Sequence, residues 1–278
     1  MFTSPVKASP YRLILIVLIS VLTGCATSPT GRTQFILISP DAAILESEAA
    51  YLDTLRQLDE EDKLVSDPLT VARVARITGR LVSIAVTDFP ESGDWKWSVA
   101  IVDDTETVNA WCMAGGRMAV YTGLFDQLEL TDDEFAQIMG HEISHALANH
   151  TAEQMSRAMA TAAGVAVIGA ASDNSGAAMA GASVIANVAL TLPNSRDAEN
   201  EADVMGMVLA TKAGYDPEAA VTLWQKMGDL NDDRPAEFLS THPAPENRQA
   251  ALNTMIPRML QVNPDRTKAA IHPVTIVQ

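Results

Sequence analysis

The 278-residue sequence predicts an α+β domain, mainly helical, with a small antiparallel sheet beside one conspicuous helix. Three observations predict it. Residues 41–60, 67–87 and a stretch from Thr131 onward place apolar side chains at helical spacing. Trp95 to Val102 and Thr107 to Tyr121 alternate apolar and polar positions as strands do. Thr131-Asp132-Asp133-Glu134 forms a capping box, with Thr131 as N-cap, Glu134 at N3 and two more acids where a helix dipole favours them.

In chain order, Lys7 and Arg12 precede an apolar run from Leu13 to Leu22. Ten residues are too few to span a bilayer and match the core of a signal peptide. The run ends in Leu22-Thr23-Gly24-Cys25, which resembles the bacterial lipobox. Residues 1–24 are therefore read as a lipoprotein signal peptide, and Cys25 as the lipidated N-terminus of the mature chain. Several acyl chains give stable membrane attachment. Ala26, not Asp, follows the cysteine; by analogy with Gram-negative sorting, this favours the periplasmic face of the outer membrane. Residues 25–40 are expected to be the lipidated cysteine and a Thr/Ser/Pro-rich tether, and 41–262 the main domain.

Cleavage leaves Cys112 without a partner, so no intramolecular disulfide supports the fold. A small buried apolar role suits it best. Loss of Lys7 and Arg12 leaves 17 basic residues against 35 acidic ones, a net charge of −18. So acidic a chain is a poor binder of nucleic acid.

Within the domain, Gly115-Gly116 marks a turn or bulge in the strand region. From Glu134 the helix carries Phe135, Ile138, Met139, Ile143, Ala146 and Leu147 on its apolar positions, and neither Gly nor Pro interrupts it after Gly140 until Gly164. Residues 158–192 are rich in Ala, Gly, Val and Ile around a polar Ser172–Gly176 centre. Two packed core helices, a mobile cover and a membrane contact are all compatible with them. Asp216-Pro217 opens a helix to about Met227, another lies between Pro243 and Leu260, and 263–278 read as a loose C-terminal tail.

The chemistry is carried by His141-Glu142-Ile143-Ser144-His145. Residues four apart lie on one helix face, so His141 and His145 present two imidazoles together, suited to one Zn²⁺ per chain. Glu142 is placed to take a proton from a water that the metal activates. With 5 histidines in the chain, the chance expectation for such a pentapeptide is about 0.005. Gly140, just before it, leaves room for a neighbouring element to approach. His150, extrapolated along the same helix, should face away from the metal.

A catalytic zinc needs a third protein ligand and an open position. Ser195-Arg196-Asp197-Ala198-Glu199-Asn200-Glu201-Ala202-Asp203 offers Glu199 as ligand, with Asp203 one turn on to orient a histidine ring. Glu201 is the alternative ligand, otherwise a solvated carboxylate.

Here the chain resembles the HtpX-like and CAAX-prenyl-protease-like zinc metallopeptidases, a gluzincin group. The marks are Gly140 to His145, Ser195 to Asp203, Asn109-Ala110, Gly115-Gly116-Arg117, Val120 to Leu124, and Thr241-His242-Pro243 with Arg248; Thr30-Gly31-Arg32 is weaker. Among members, the chain looks most like the small lipoprotein or periplasmic ones, the BepA-like and LoiP-like proteins. Ala114 departs from the pattern, since many members carry proline before the paired glycines. The resemblance implies a zincin-like fold and a zinc metalloendopeptidase cleaving unfolded or misassembled envelope polypeptides. It places His141, His145 and Glu199 on the metal, Glu142 as base and Asp203 behind a ligand ring. It also draws His242 toward the site, as an oxyanion donor or a reversible fourth ligand, against the plainer role of a loop histidine bonded to backbone. Arg196 either pairs with an acid or assists the oxyanion. The alternative function is a chaperone-like envelope assembly factor using the same cleft with little proteolysis.

Overall fold

A computed structural model describes residues 25–171, 193–230, 237–243 and 247–278. The signal-peptide reading of 1–24 and the reading of 172–192 lie outside these residues. Two short strands open the described chain: β1 (Cys25–Thr27) and β2 (Thr33–Phe35) pair antiparallel. The expected tether is thus a hairpin, and it is docked. The Gln34 side chain donates to the Ala148 carbonyl at 2.7 Å, and the Ser156 hydroxyl accepts from the backbone of Leu37 and Ile38.

Two helices follow where periodicity puts them. α1 (Pro40–Glu60) starts at Ser39, whose hydroxyl accepts from the Ala42 N–H, and α2 (Pro68–Asp88) at Asp67, which accepts from Thr70. Each has proline in its first turn, where the missing N–H costs nothing. α2 buries Val74, Ile77, Leu81, Val82 and Ala85 against the sheet and the central helix.

The sheet comprises β3 (Ser98–Val102), β4 (Ala110–Met113), β5 (Arg117–Tyr121) and β6 (Thr275–Val277), in the order β4-β5-β3-β6. β4 and β5 form the expected antiparallel hairpin. Its turn needs Gly115 and Gly116, at φ +80° and +76°, and closes with Ala114 in place of proline. The sheet as a whole is mixed, because β3 runs parallel to both β5 and β6. Alternation predicts strands but carries no information on their direction. β6 also corrects the loose-tail reading of 263–278: His272 donates its N–H to the Gly79 carbonyl, and Thr275 donates to Trp97, before the strand pairs.

A short helix, α3 (Gly123–Leu128), leads to the central helix α4 (Asp132–Leu147). The capping box is present in both directions: Thr131 N–H donates to Glu134 at 2.9 Å, and Glu134 N–H donates to the Thr131 hydroxyl at 3.2 Å. Every residue from Glu134 to Leu147 is buried. α4 ends earlier than the Gly/Pro count suggests. Asn149 adopts φ +56°, and α5 (His150–Ala171) starts in a new direction. Asparagine tolerates this left-handed conformation, which commonly ends helices. No helix among the described residues is long and apolar enough to cross a membrane.

α6 (Arg196–Lys212), capped by Ser195, packs along α4. α7 (Ala219–Asp229), the short α8 (Glu237–Thr241) and α9 (Arg248–Val262) complete the far wall. The α4–α6 approach is backbone to backbone. A Cβ on Gly206 would lie 2.7 Å from the His141 nitrogen, and one on Gly140 would lie 2.8 Å from the Gly206 carbonyl oxygen. The space anticipated at Gly140 is filled by α6.

Candidate metal centre

α4 and α6 converge where their chemical residues lie. His141 and His145 are one turn apart on α4, and their Nε2 atoms are 3.0 Å from each other. Glu199, on the first turn of α6, brings Oε2 to 3.4 Å from His141 Nε2 and Oε1 to 3.4 Å from His145 Nε2. His242, just past α8, puts Nδ1 3.0 Å from Glu199 and 3.3 Å from His141 Nε2. The ligand atoms of these four residues lie within 4.8 Å of one another, and all four side chains are buried.

This donor set fits Zn²⁺, which takes imidazole nitrogen and carboxylate oxygen at about 2.0–2.2 Å. Two ligands at that distance around a tetrahedral ion are about 3.3 Å apart, close to the separations here. The ring orientations agree. His141 turns Nδ1 to Asp203 at 3.0 Å, and His145 turns Nδ1 to His150 at 2.8 Å. Each therefore has Nε2 left for the shared point. Asp203, predicted to orient a ring, contacts that of His141.

The electrostatics favour a cation there. Desolvation alone would lower the pKa of His141, yet hydrogen bonds and charge from Asp203 and Glu199 raise it to about 10. Burial drives His145 well below its usual value. Burial opposes ionisation of Glu199, but His141, His242 and His145 hold its pKa below the carboxylate range. Arg248 adds a fixed positive charge, donating to Asp203 and to Glu199, both at 2.6 Å, with its guanidinium stacked 3.9 Å over Trp224.

Glu142 stands apart from this pairing. Burial raises its pKa, and its Oε1 has no hydrogen-bond partner, with His242 Nε2 at 3.5 Å. It opens on a cleft of about 480 Å³, partly open to solvent, whose walls include Asn109, Trp111, Cys112, Asn194 and His242. Asn109 directly precedes β4 and Trp111 and Cys112 belong to it; β4 is an edge strand of the sheet. Burial pushes the Cys112 thiol up, which disfavours the thiolate and a nucleophilic role.

Three placements differ from expectation. Glu201 is not solvated: it is buried and bonded to His150, Thr30 and Arg32. His150 does not face away, because the break at Asn149 turns it back onto His145; an αL-prone asparagine near a helix end was the available signal. Arg196 is exposed on α6. The arginine at the cluster is Arg248, which local sequence does not distinguish and only the resemblance picked out.

The family model described as Peptidase family M48 matches residues 68–256. Mitochondrial metalloendopeptidase OMA1 of Schizosaccharomyces pombe is 29% identical over 230 residues, covering 82% of this chain and 65% of that protein. The Arabidopsis thaliana protein of that name is 35% identical over 156 residues, 56% and 31% of the two chains. The Beta-barrel assembly-enhancing protease of Escherichia coli K12 is 29% identical over 224 residues, 76% and 45%. The chain thus spans less than two thirds of the length of each of these relatives.

Proposed function

The chain belongs to peptidase family M48, and we propose that it is a zinc-dependent endopeptidase of the bacterial cell envelope. In this reading it is lipid-anchored through Cys25 and cleaves unfolded or misassembled envelope proteins. The observation that carries it is the pairing of a convergent His141, His145 and Glu199 donor set with a buried Glu142 that faces the cleft and whose Oε1 has no hydrogen-bond partner. The name of the Escherichia coli relative, Beta-barrel assembly-enhancing protease, supports envelope proteins as the substrate class.

When bound, Zn²⁺ supplies a Lewis acid that polarises the scissile carbonyl and makes water acidic enough to attack near neutral pH. The chain's own groups do the rest. Glu142 takes a proton from the attacking water; its burial brings its pKa toward that of a useful base. As the carbon–nitrogen bond breaks, Glu142 passes the proton to the leaving amine. Asp203 fixes the His141 ring, and Arg248 holds Asp203 and Glu199 at their separation. The outer edge of β4, last in the sheet among the described residues, pairs with substrate backbone, a mode that reads main chain and tolerates many sequences. His242 would hold a fourth ligand position on bound zinc, and would have to leave it to admit substrate.

One observation favours the second reading, a chaperone-like assembly factor: with His242 the donor set has four members, as in closed structural zinc sites. Glu142→Gln separates the two. The variant should keep zinc and fold, yet lose hydrolysis of an unfolded protein by several orders of magnitude. Cleavage near the wild-type rate by a zinc-loaded variant refutes the mechanism. Loss of cleavage with an unchanged cellular phenotype favours the assembly factor.

A further inference from the structure

His145 can serve a metal through Nε2 only if its ring proton sits on Nδ1. That atom lies 2.8 Å from Nδ1 of His150, so one of the two nitrogens donates. On the far side, His150 Nε2 is 3.1 Å from Glu201 Oε2. An ionised carboxylate only accepts, so Nε2 of His150 carries its proton and Nδ1 of His150 accepts. The proton between the rings then belongs to His145, and its Nε2 lone pair faces the metal position. The reverse assignment sets a lone pair of His150 against the carboxylate and a proton of His145 against the metal.

The order of this relay depends on Glu201 being held in place as an acceptor, although it is buried. A buried carboxylate needs a partner charge and satisfied lone pairs. Both come from the N-terminal hairpin. Arg32 Nε donates to Glu201 at 2.9 Å, and the Thr30 hydroxyl donates at 2.5 Å. The rest of the Arg32 guanidinium forks onto Glu153 at 3.1 and 2.7 Å, which fixes it to α5.

We propose that Thr30 and Arg32 are positioning residues for the ligand His145, acting through Glu201 and His150. The two ligand histidines are thus oriented by different parts of the chain. His141 depends on Asp203, from the helix that carries Glu199. His145 depends on a hairpin whose residues are far away in sequence. The proposal rests on the metal-site reading above, and its test does not use proteolysis.

The test measures zinc affinity of the purified full chain by chelator competition, and the ring tautomer of His145 in the zinc-free protein by nitrogen-15 NMR. Wild type should show the Nδ1–H tautomer. Arg32→Gln and Glu201→Gln should weaken zinc binding about 10- to 100-fold, as loss of a group that orients a ligand does, and should populate the Nε2–H form. Arg32→Lys, which keeps the charge, should recover part of the affinity. Thr30 is exposed, so Thr30→Val folds even if the buried variants do not. Loss of one hydrogen bond should cost it about three- to tenfold in affinity, while Thr30→Ser stays near wild type. An Nε2–H tautomer in wild type, or unchanged affinity and tautomer in Thr30→Val, overturns the proposal. If these shifts appear in a protein that cleaves nothing, the positioning role holds and the endopeptidase reading falls.

Discussion

Adding one methyl group at Gly206 should push apart the two helices that carry the metal-binding side chains. In Gly206→Ala the new carbon would sit 2.7, 2.8 and 2.9 Å from the His141 nitrogen, the His141 Cα and the Gly140 carbonyl carbon. Ordinary contact begins near 3.4 Å. All three neighbours are backbone atoms inside a buried helix, so no side chain can swing away. Relief requires α4 and α6 to separate by about 0.7 Å, the shortfall of the closest contact. Metal–ligand distances tolerate about 0.2 Å, so Glu199 on α6 can no longer bind together with both histidines on α4. Overpacking of this kind costs about 1–3 kcal/mol. In a domain of this size that lowers the melting temperature by about 2–12 °C. Chelator competition and thermal unfolding of the zinc-free protein measure the two effects separately. Gly228→Ala is the control, because nothing lies within 4 Å of its new carbon and it should be neutral or slightly stabilising. Wild-type zinc affinity in Gly206→Ala, with a zinc-free melting temperature within about 1 °C of wild type, would refute the argument.

The remaining expectations are these. His242→Ala should raise basal cleavage of an unfolded substrate, because the fourth position is vacated; a fall of about 10²–10³-fold would instead make His242 an oxyanion donor. Arg248→Gln leaves Glu199 and Asp203 buried without their shared cation. It should lower stability by about 3–5 kcal/mol, more in zinc-free than in zinc-loaded protein, as paired melting curves will show. Cys25→Ser should release the protein from the membrane fraction or leave its precursor uncleaved; normal processing and retention would rule out the lipid anchor.

The parts of the site legible in sequence are those set by local rules. The capping box and the apolar spacing specify α4, and the helical repeat puts His141 over His145 and Glu199 over Asp203. Gly140 announced a close approach, though not that Gly206 would be its partner. What was illegible depends on direction or distance. One left-handed residue, Asn149, turns His150 from bystander into neighbour of His145. The bond from Arg32 to Glu201 spans 169 positions, and a Thr-Gly-Arg triplet in a polar stretch gives no sign of its acid. Parallel pairing of β3 with β6 is equally silent, since neither strand's pattern names its partner.

That last pairing has a consequence for time rather than space. Ser98 is in register with Thr275, and the segment leading to β6 first crosses α2 at Gly79. A chain delivered from its N-terminus therefore holds β3 with one side unpaired until β6 has emerged. Such long-range closure is slow, and it leaves an open strand exposed meanwhile. The molecule should then pass through a stage in which the sheet beside its own cleft is unfinished, and the nascent protein is itself an unfolded chain of the kind it is proposed to cut. Late docking of β6 makes completion of the sheet wait for the segment that follows α9.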